Sequence, residues 1–297
     1  MLYECGRTDV PLGRLLEGHV DAVQIVQRFG TPAQITHLHE ALGAGKTYGV
    51  WNAAMAGEPV EITNGILTGA KSFASGAGVI DYALVTADTH DGSEPGTQLV
   101  IIDIADSRPE IDTEWWHTTG MQRSETHRVR WRNLVVSPDA LLGEPGDYVQ
   151  EPWFSGGALR YLAVQAGAVA GIVDHARSHL ESVGRLEDPF QNARLAQMFV
   201  HSENAAGSVA RTANHCVRDD IATFLARVAA TRIAVLDAAQ AVMALARDAV
   251  GLQAMFRHHP LAALLTDLDV YLRQPVPDLM RLRAGSAVGR GDLACAL

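Results

Sequence analysis

The spacing of apolar residues changes period twice along this chain, which excludes any single-layer or purely helical architecture. Up to about residue 46 the pattern is helical. Leu12, Leu15, Leu16, His19, Val23, Val26 and Phe29 recur at steps of three and four and so form one stripe. Gly30 stops that helix. Thr31-Pro32 opens the next, with a hydroxyl to cap free N–H groups and a proline at the first helical position, and Gly43 and Gly45 close it. From Thr47 to about Leu142 short strand-like runs take over, at 48–53, 60–63, 66–73, 82–86, 98–104 and 128–136. Asn64-Gly65 predicts a tight hairpin, because both of its central residues tolerate positive φ. Asp91-Gly-Ser-Glu-Pro-Gly predicts a loop. After Gly143 the helical period returns, with long helices over 157–182, 189–218 and 221–250 and a shorter one over 260–272. The expected fold is α+β: a short helical N-terminal part (1–46), an antiparallel β-barrel-like middle domain (47–145) and a C-terminal helical bundle (146–297).

With 47% hydrophobic residues over a length of 297, the chain can bury a large core. A net charge of −10 disfavours nucleic acid, since phosphates would be repelled over most of the surface. Cys5, Cys216 and Cys295 are too scattered for a disulfide scaffold or a zinc site and fit a reducing, cytoplasmic setting. Residues 1–11 lack the charged head and apolar run of a signal peptide. No apolar stretch approaches the roughly 20 residues of a membrane span. No metal site and no membrane or nucleic-acid partner is therefore expected.

Three segments stand out for chemistry: Gly49-Val-Trp-Asn, Lys71-Ser-Phe-Ala-Ser-Gly-Ala-Gly, and Gly120-Met-Gln-Arg-Ser-Glu-Thr-His. Their order and spacing resemble the flavin-facing middle domain of the acyl-CoA dehydrogenase family, and the resemblance extends over nearly the whole chain. It implies an acyl-CoA dehydrogenase-like fold with FAD between the middle domain and the bundle. It also implies roles for individual residues. Phe73 would pack on the isoalloxazine ring and Ser75 would bond near N5. Trp51 and Asn52 would lie beside flavin and substrate, and Arg123 and Ser124 would belong to the next flavin element. Gly251 is what survives of the motif that holds the flavin pyrophosphate of a neighbouring subunit. Members of the family assemble into homodimers or homotetramers.

Two departures shape the functional expectation. The helical part before the strands is shorter than in the family. The loop that commonly carries the catalytic Glu reads Asp267-Leu-Asp-Val-Tyr-Leu-Arg-Gln-Pro275, with no Glu. Asp267, Asp269 and Asp278 are the nearby acids. The first expectation is a FAD-dependent oxidoreductase acting on an acyl thioester or related small substrate, acyl-CoA included. The second is a reduced-flavin monooxygenase on the same fold, a branch that also lacks the Glu and carries Ser-Gly after the aromatic, as Ser75-Gly76 does. The third is a non-catalytic paralogue or partner subunit.

Other features have plainer explanations. Gly43-Ala-Gly-Lys-Thr47 ends like a P-loop, but Glu40 stands where its first glycine belongs. His37-Leu-His39 and His258-His259 suit solvated or capping roles. His175 and His179 share a helix face without the intervening Glu of a metalloprotease. Gly167-Ala-Val-Ala-Gly171 suits close helix packing. Trp115, Trp116 and Trp131 are expected in the barrel core or at a subunit interface.

Overall fold

A computed structural model describes residues 1–89, 96–273 and 276–295. Most of the predicted loop at 91–96, and Gln274 and Pro275 of the late loop, lie outside the described residues. The chain divides into two compact units, a sheet unit (Arg14–His117 and Gln122–Phe154) and a helical unit (Met1–Gly13, Thr118–Met121 and Ser155–Leu297). The division falls inside the second helix, where the sequence places a boundary at residue 46, and it assigns the first 13 residues to the helical unit.

Three helices precede the strands: α1 (Leu2–Thr8), α2 (Val10–Phe29) and α3 (Pro32–Gly43). The start of α3 is as the sequence predicts. Thr31 Oγ1 accepts from the Gln34 N–H while the Gln34 side chain accepts from the Thr31 N–H, a reciprocal capping box.

The sheet unit holds β1 (Tyr48–Trp51), β2 (Glu61–Thr63), β3 (Ile66–Ala74), β4 (Tyr82–Thr89), β5 (Gly96–Asp103), the short α4 (Ile104–Ser107), β6 (Glu110–Asp112), β7 (His127–Val135) and β8 (Leu141–Leu142). The strand order is β6-β7-β3-β2-β4-β5-β8, with β1 also on β4. Asn64 and Gly65 have φ of 51° and 71° and turn β2 into β3, as the Asn-Gly signal requires.

The sheet is mixed and not wholly antiparallel. β1 pairs with β4 in parallel at Tyr82–Val85, and β2 pairs with β4 in parallel at Asp88–Thr89. The two therefore follow one another along one edge of β4, and residues 52–60 make an excursion between them. Periodicity reports which face a residue takes, not the direction of its neighbour, so this was not legible.

Trp51, Leu67, Val85, Val100, Val129 and Trp131 form a core on one side of the sheet. Ala22, Val26 and Leu38 of α2 and α3 close over Tyr48, Leu84 and Leu99 on another.

In the helical unit α6 (Ala158–Ser182), α7 (Pro189–His215) and α8 (Ile221–Val250) follow the short α5 (Trp153–Gly156) and are joined by α9 (Pro260–Tyr271) and α10 (Pro277–Arg290). Leu162, Ala166, Ala205, Val235 and Ala238 interlock at its centre. The small residues of α6 do allow close packing, and the neighbour is α1. A Cβ on Gly167 would lie 1.9 Å from the Tyr3 carbonyl oxygen, and one on Gly171 2.2 Å from that of Arg7. His259 caps α9, its Nδ1 accepting from the Leu261 N–H.

The expectation that no stretch is long and apolar enough to span a membrane needs correction. Trp153–Ser182 and Ile221–Met255 meet that requirement by length and composition. Their alanine, valine and glycine content keeps hydropathy high without long leucine runs, and 56% and 44% of the two windows are buried within the fold.

Candidate functional site

The end of β3 has an unusual backbone. Phe73 has φ of 54°, a left-handed conformation that bulky side chains rarely adopt and that costs on the order of 1–3 kcal/mol. The ladder to β7 slips between Lys71 and Ala74. Two residues on, Gly76 has φ of 78°, and a Cβ there would lie 2.7 Å from Ile80 Cγ2, so glycine is required. Gly76 N–H donates to the Ser124 carbonyl at 2.9 Å, which pins the bend to the Gln122–Ser124 turn.

This bend holds the Phe73 ring out of the core, 56% exposed. Trp115 meets it edge-on at 4.9 Å and Trp116 at 6.3 Å, and the Arg128 guanidinium lies 4.8 Å over Trp115. Both tryptophans are half-buried, so they belong to an accessible aromatic cluster, whereas Trp131 is in the core at 6.1 Å from Trp51.

Ser75 ends a line of hydroxyls. Thr126 Oγ1 donates to Ser75 Oγ at 3.0 Å, and Ser124 Oγ lies 2.8 Å from Thr126 Oγ1. Arg14 Nε also donates to Ser75 Oγ, at 3.2 Å, and Arg14 is itself paired with buried Glu17. Both lone pairs of the Ser75 oxygen are thus engaged from inside, and its one proton is left to donate outward.

A second line reaches Asn52. Lys71 Nζ donates to Thr86 Oγ1 at 2.7 Å and to the Asn52 carbonyl at 3.1 Å. Thr86 Oγ1 in turn donates to Asn52, 3.1 Å from Oδ1 and 3.2 Å from the carbonyl oxygen. Lys71 and Thr86 are buried while Asn52 is exposed. Burial pushes the Lys71 ammonium down to about 8, opposed by the nearby charge of Asp88.

Of the residues singled out in the sequence, the sheet unit brings Asn52, Phe73 and Ser75 to one stretch of backbone. Ser72 N–H donates to the Ala53 carbonyl at 3.1 Å, and Trp51 Nε1 donates to the Ser75 carbonyl at 2.9 Å. Trp51 itself is a correction. Its indole is 1% exposed, packed in the sheet core, and it supports the bend instead of facing a ligand. Ser124 is 1% exposed and supplies the hydroxyl line and the Gly76 anchor from within. Arg123 is exposed on the same turn. Gly251 lies in the helical unit, where its φ of 72° ends α8.

Arg14, Glu17 and Thr86 lie outside the segments singled out in the sequence, and Lys71 and Thr126 lie within them with no role assigned. Arg14 and Glu17 are some 60 residues from Ser75 on a helix, with no local signal. Lys71 and Thr86 sit in strand-like runs, where an inward charged or hydroxyl side chain among apolar neighbours was the available sign.

The three candidate acids are all engaged. Asp267 Oδ1 accepts from the Met121 N–H at 2.5 Å, Asp269 pairs with Arg273 at 2.7 Å, and Asp278 pairs with Arg281 at 3.2 Å. A Cβ on Gly120 would lie 2.2 Å from the Thr266 carbonyl oxygen, so Asp267 acts as a clasp on a tightly seated turn.

Comparison with known proteins agrees with this architecture. No protein-family profile matches the chain. Among curated proteins it is similar to the dibenzothiophene monooxygenase of Rhodococcus erythropolis, 25% identical over 248 residues, which are 73% of this chain and 59% of that protein. The dibenzothiophene monooxygenase of Mycolicibacterium goodii is 23% identical over 243 residues, 72% of this chain and 58% of that protein. The matched region thus spans under two thirds of these relatives. Among solved structures, the dibenzothiophene monooxygenase TdsC of Paenibacillus sp. A11-2, in complex with FMN and indole, superposes with a TM-score of 0.86 at 18% identity, covering 98% of this chain and 82% of that one. Butyryl-CoA dehydrogenase of Megasphaera elsdenii superposes at 0.82 and 19% identity, covering 97% and 80%. The chain has the acyl-CoA dehydrogenase-like fold.

Proposed function

We propose that this chain is a reduced-flavin-dependent monooxygenase that takes flavin mononucleotide and oxygenates a small aromatic heterocycle. The observation that carries this is the Phe73 bend, which offers a flat apolar ring to solvent with an outward-donating Ser75 hydroxyl two residues away. A tricyclic ring with acceptor atoms along one edge suits that pairing of surface and donor. The chemistry a reduced flavin supplies when bound is two-electron activation of dioxygen, one oxygen atom entering the substrate and the other leaving as water.

This chain's own residues do the rest. Phe73 supplies a packing face, Ser75 a donor, and the tryptophans at 115 and 116 an apolar wall for a planar substrate. Arg123 is a proposed contact to the flavin phosphate, and Gly251, the remnant of a pyrophosphate-holding motif, would contact the cofactor across a homodimer or homotetramer interface only if that cofactor were FAD. The identity of the curated relatives supports oxygenation, and the FMN and indole bound by TdsC support the ligand classes. The engagement of Asp267, Asp269 and Asp278 with other partners disfavours a dehydrogenase using one of them as its base.

The test is turnover with FMN, a flavin reductase, NADH and either indole or dibenzothiophene under isotopically labelled dioxygen. One labelled oxygen in the product is expected. A folded, flavin-loaded protein that yields no oxygenated product but is bleached anaerobically by butyryl-CoA would return the assignment to an acyl thioester dehydrogenase. Chromatography of the flavin released on denaturation separates FMN from FAD.

A further inference from the structure

Lys71 is 3% exposed, and among the described residues its hydrogen-bonding partners are the Thr86 hydroxyl and the Asn52 carbonyl, both neutral. Burying an ammonium this way is costly, because its hydration is lost and only neutral oxygens replace it. A structural role alone is met more cheaply by an apolar side chain of the same length. The question is what the charge does here.

The answer lies in the polarity of the hydrogen bonds. An ammonium has three donors and no lone pair. Thr86 Oγ1 accepts from it, so the single Thr86 proton must point onward, and the oxygens it meets belong to Asn52. Of the two orientations open to the Asn52 amide, the structure has the one with Oδ1 inward, where it accepts from Thr86 at 3.1 Å beside the backbone carbonyl at 3.2 Å. The Asn52 NH2 then faces away from the relay on an exposed residue. The backbone places that residue beside the bend, because its neighbour Ala53 accepts from Ser72 N–H and its neighbour Trp51 donates to the Ser75 carbonyl.

We propose that Lys71 is a positioning residue that, through Thr86, holds the Asn52 amide with its NH2 outward as a second hydrogen-bond donor to the flavin seated at Phe73. The inference rests on the flavin reading of the site. It assigns the buried charge a task that its neighbours alone do not explain: fixing the direction of one amide. Substituting Lys71 then separates two properties that normally fall together, since removing a buried charge relieves the fold while loosening the site.

The experiment measures FMN affinity by fluorescence quenching, and melting temperature in parallel, for the wild-type chain and for Lys71→Met, Thr86→Val, Thr86→Ser and Asn52→Ala. Lys71→Met is expected to weaken FMN binding about tenfold, the size of one well-formed hydrogen bond, with a melting temperature equal to or above wild type. Thr86→Val should weaken binding similarly, and Thr86→Ser, which keeps the hydroxyl, should bind as wild type. Lys71→Met combined with Asn52→Ala should lose no more than Asn52→Ala alone, because both act through the same amide. Unchanged affinity in Lys71→Met and Thr86→Val, or affinity losses that merely track losses in melting temperature, would overturn the positioning role while leaving the flavin reading intact. A folded wild-type chain that binds neither FMN nor FAD would overturn the flavin reading and this role with it.

Discussion

Tight places in the helical unit are glycines against backbone. A Cβ on Gly6, Gly167 or Gly171 would meet a carbonyl oxygen of the neighbouring helix at 2.1, 1.9 or 2.2 Å. The sheet unit has such a place too, where a Cβ on Gly69 would lie 2.1 Å from the Pro59 carbonyl oxygen, but it adds a buried ammonium, a line of hydroxyls and a phenylalanine at positive φ. The seam of α1 and α6 is held by shape, and its glycines carry no side-chain hydrogen-bonding demand, although the unit also buries Gln165 against the Tyr271 carbonyl and Thr212 against Thr231. Around β3 the buried Lys71 and Thr86 and the hydroxyls of Ser75, Ser124 and Thr126 are tied into hydrogen-bonded lines. Strain and buried polarity come together at the end of β3, the bend proposed to face flavin.

The first way to break this contrast is Gly167→Ala. The added methyl has no room beside the Tyr3 carbonyl, so α1 must move off α6. A loss of about 3 kcal/mol or more is expected in denaturant unfolding, with FMN affinity per folded molecule unchanged. A Gly167→Ala protein of normal stability would show that α1 and α6 tolerate separation.

The second concerns Lys71 and pH. Its folded-state value of about 8 lies below that of a free lysine, so between about 8 and 10.5 the unfolded chain binds more protons than the folded one. Stability should therefore rise with pH through that window, by on the order of 3 kcal/mol in total, and the cost of the buried charge is fully present below it. The Lys71→Met protein should lose that rise and keep only the opposite contribution of Tyr3, Tyr48, Tyr82 and Cys5, whose values burial raises. Equal pH profiles for the two proteins would mean that the ammonium is hydrated.

A smaller effect is expected of Ser75→Ala. It removes the terminal donor, so FMN affinity should fall about five- to tenfold, near 1 kcal/mol, and stability should fall by about 1 kcal/mol as well because Thr126 and Arg14 lose their acceptor. Trp51→Phe should do less to binding still. It strips the Ser75 carbonyl of its indole partner, and a loss of about 1 kcal/mol in stability is expected, with affinity reduced only as far as the bend relaxes.

The sequence disclosed more of the framework than of the site. The Thr31-Pro32 cap, the Asn64-Gly65 turn and the long helices α6, α7 and α8 are local events, written in residues a few positions apart. The Phe73-Ala-Ser-Gly76 segment stands out by its resemblance to a family motif, whereas the left-handed turn at Phe73 comes from the structure. α1 was missed because seven residues hold too little of a helical period, and α10 because its buried side is only Met280, Ala284 and Ala287. The parallel edge of β4 and the two donor lines were hidden by distance along the chain. Arg14 reaches Ser75, and Thr126 reaches it from the other direction, only after the strands have paired. Trp51 was misassigned because an aromatic in a motif looks the same whether it faces a ligand or braces the turn that does.

The orientation of the hydroxyl and amide lines also bears on which molecules this edge would refuse. A rim that offers protons and keeps its lone pairs turned inward rewards electron-rich oxygen and nitrogen atoms and gives nothing to an ammonium or other cationic head. Inhibitors should gain from a carbonyl or carboxylate set beside a flat ring, and basic amines of the same size should bind poorly.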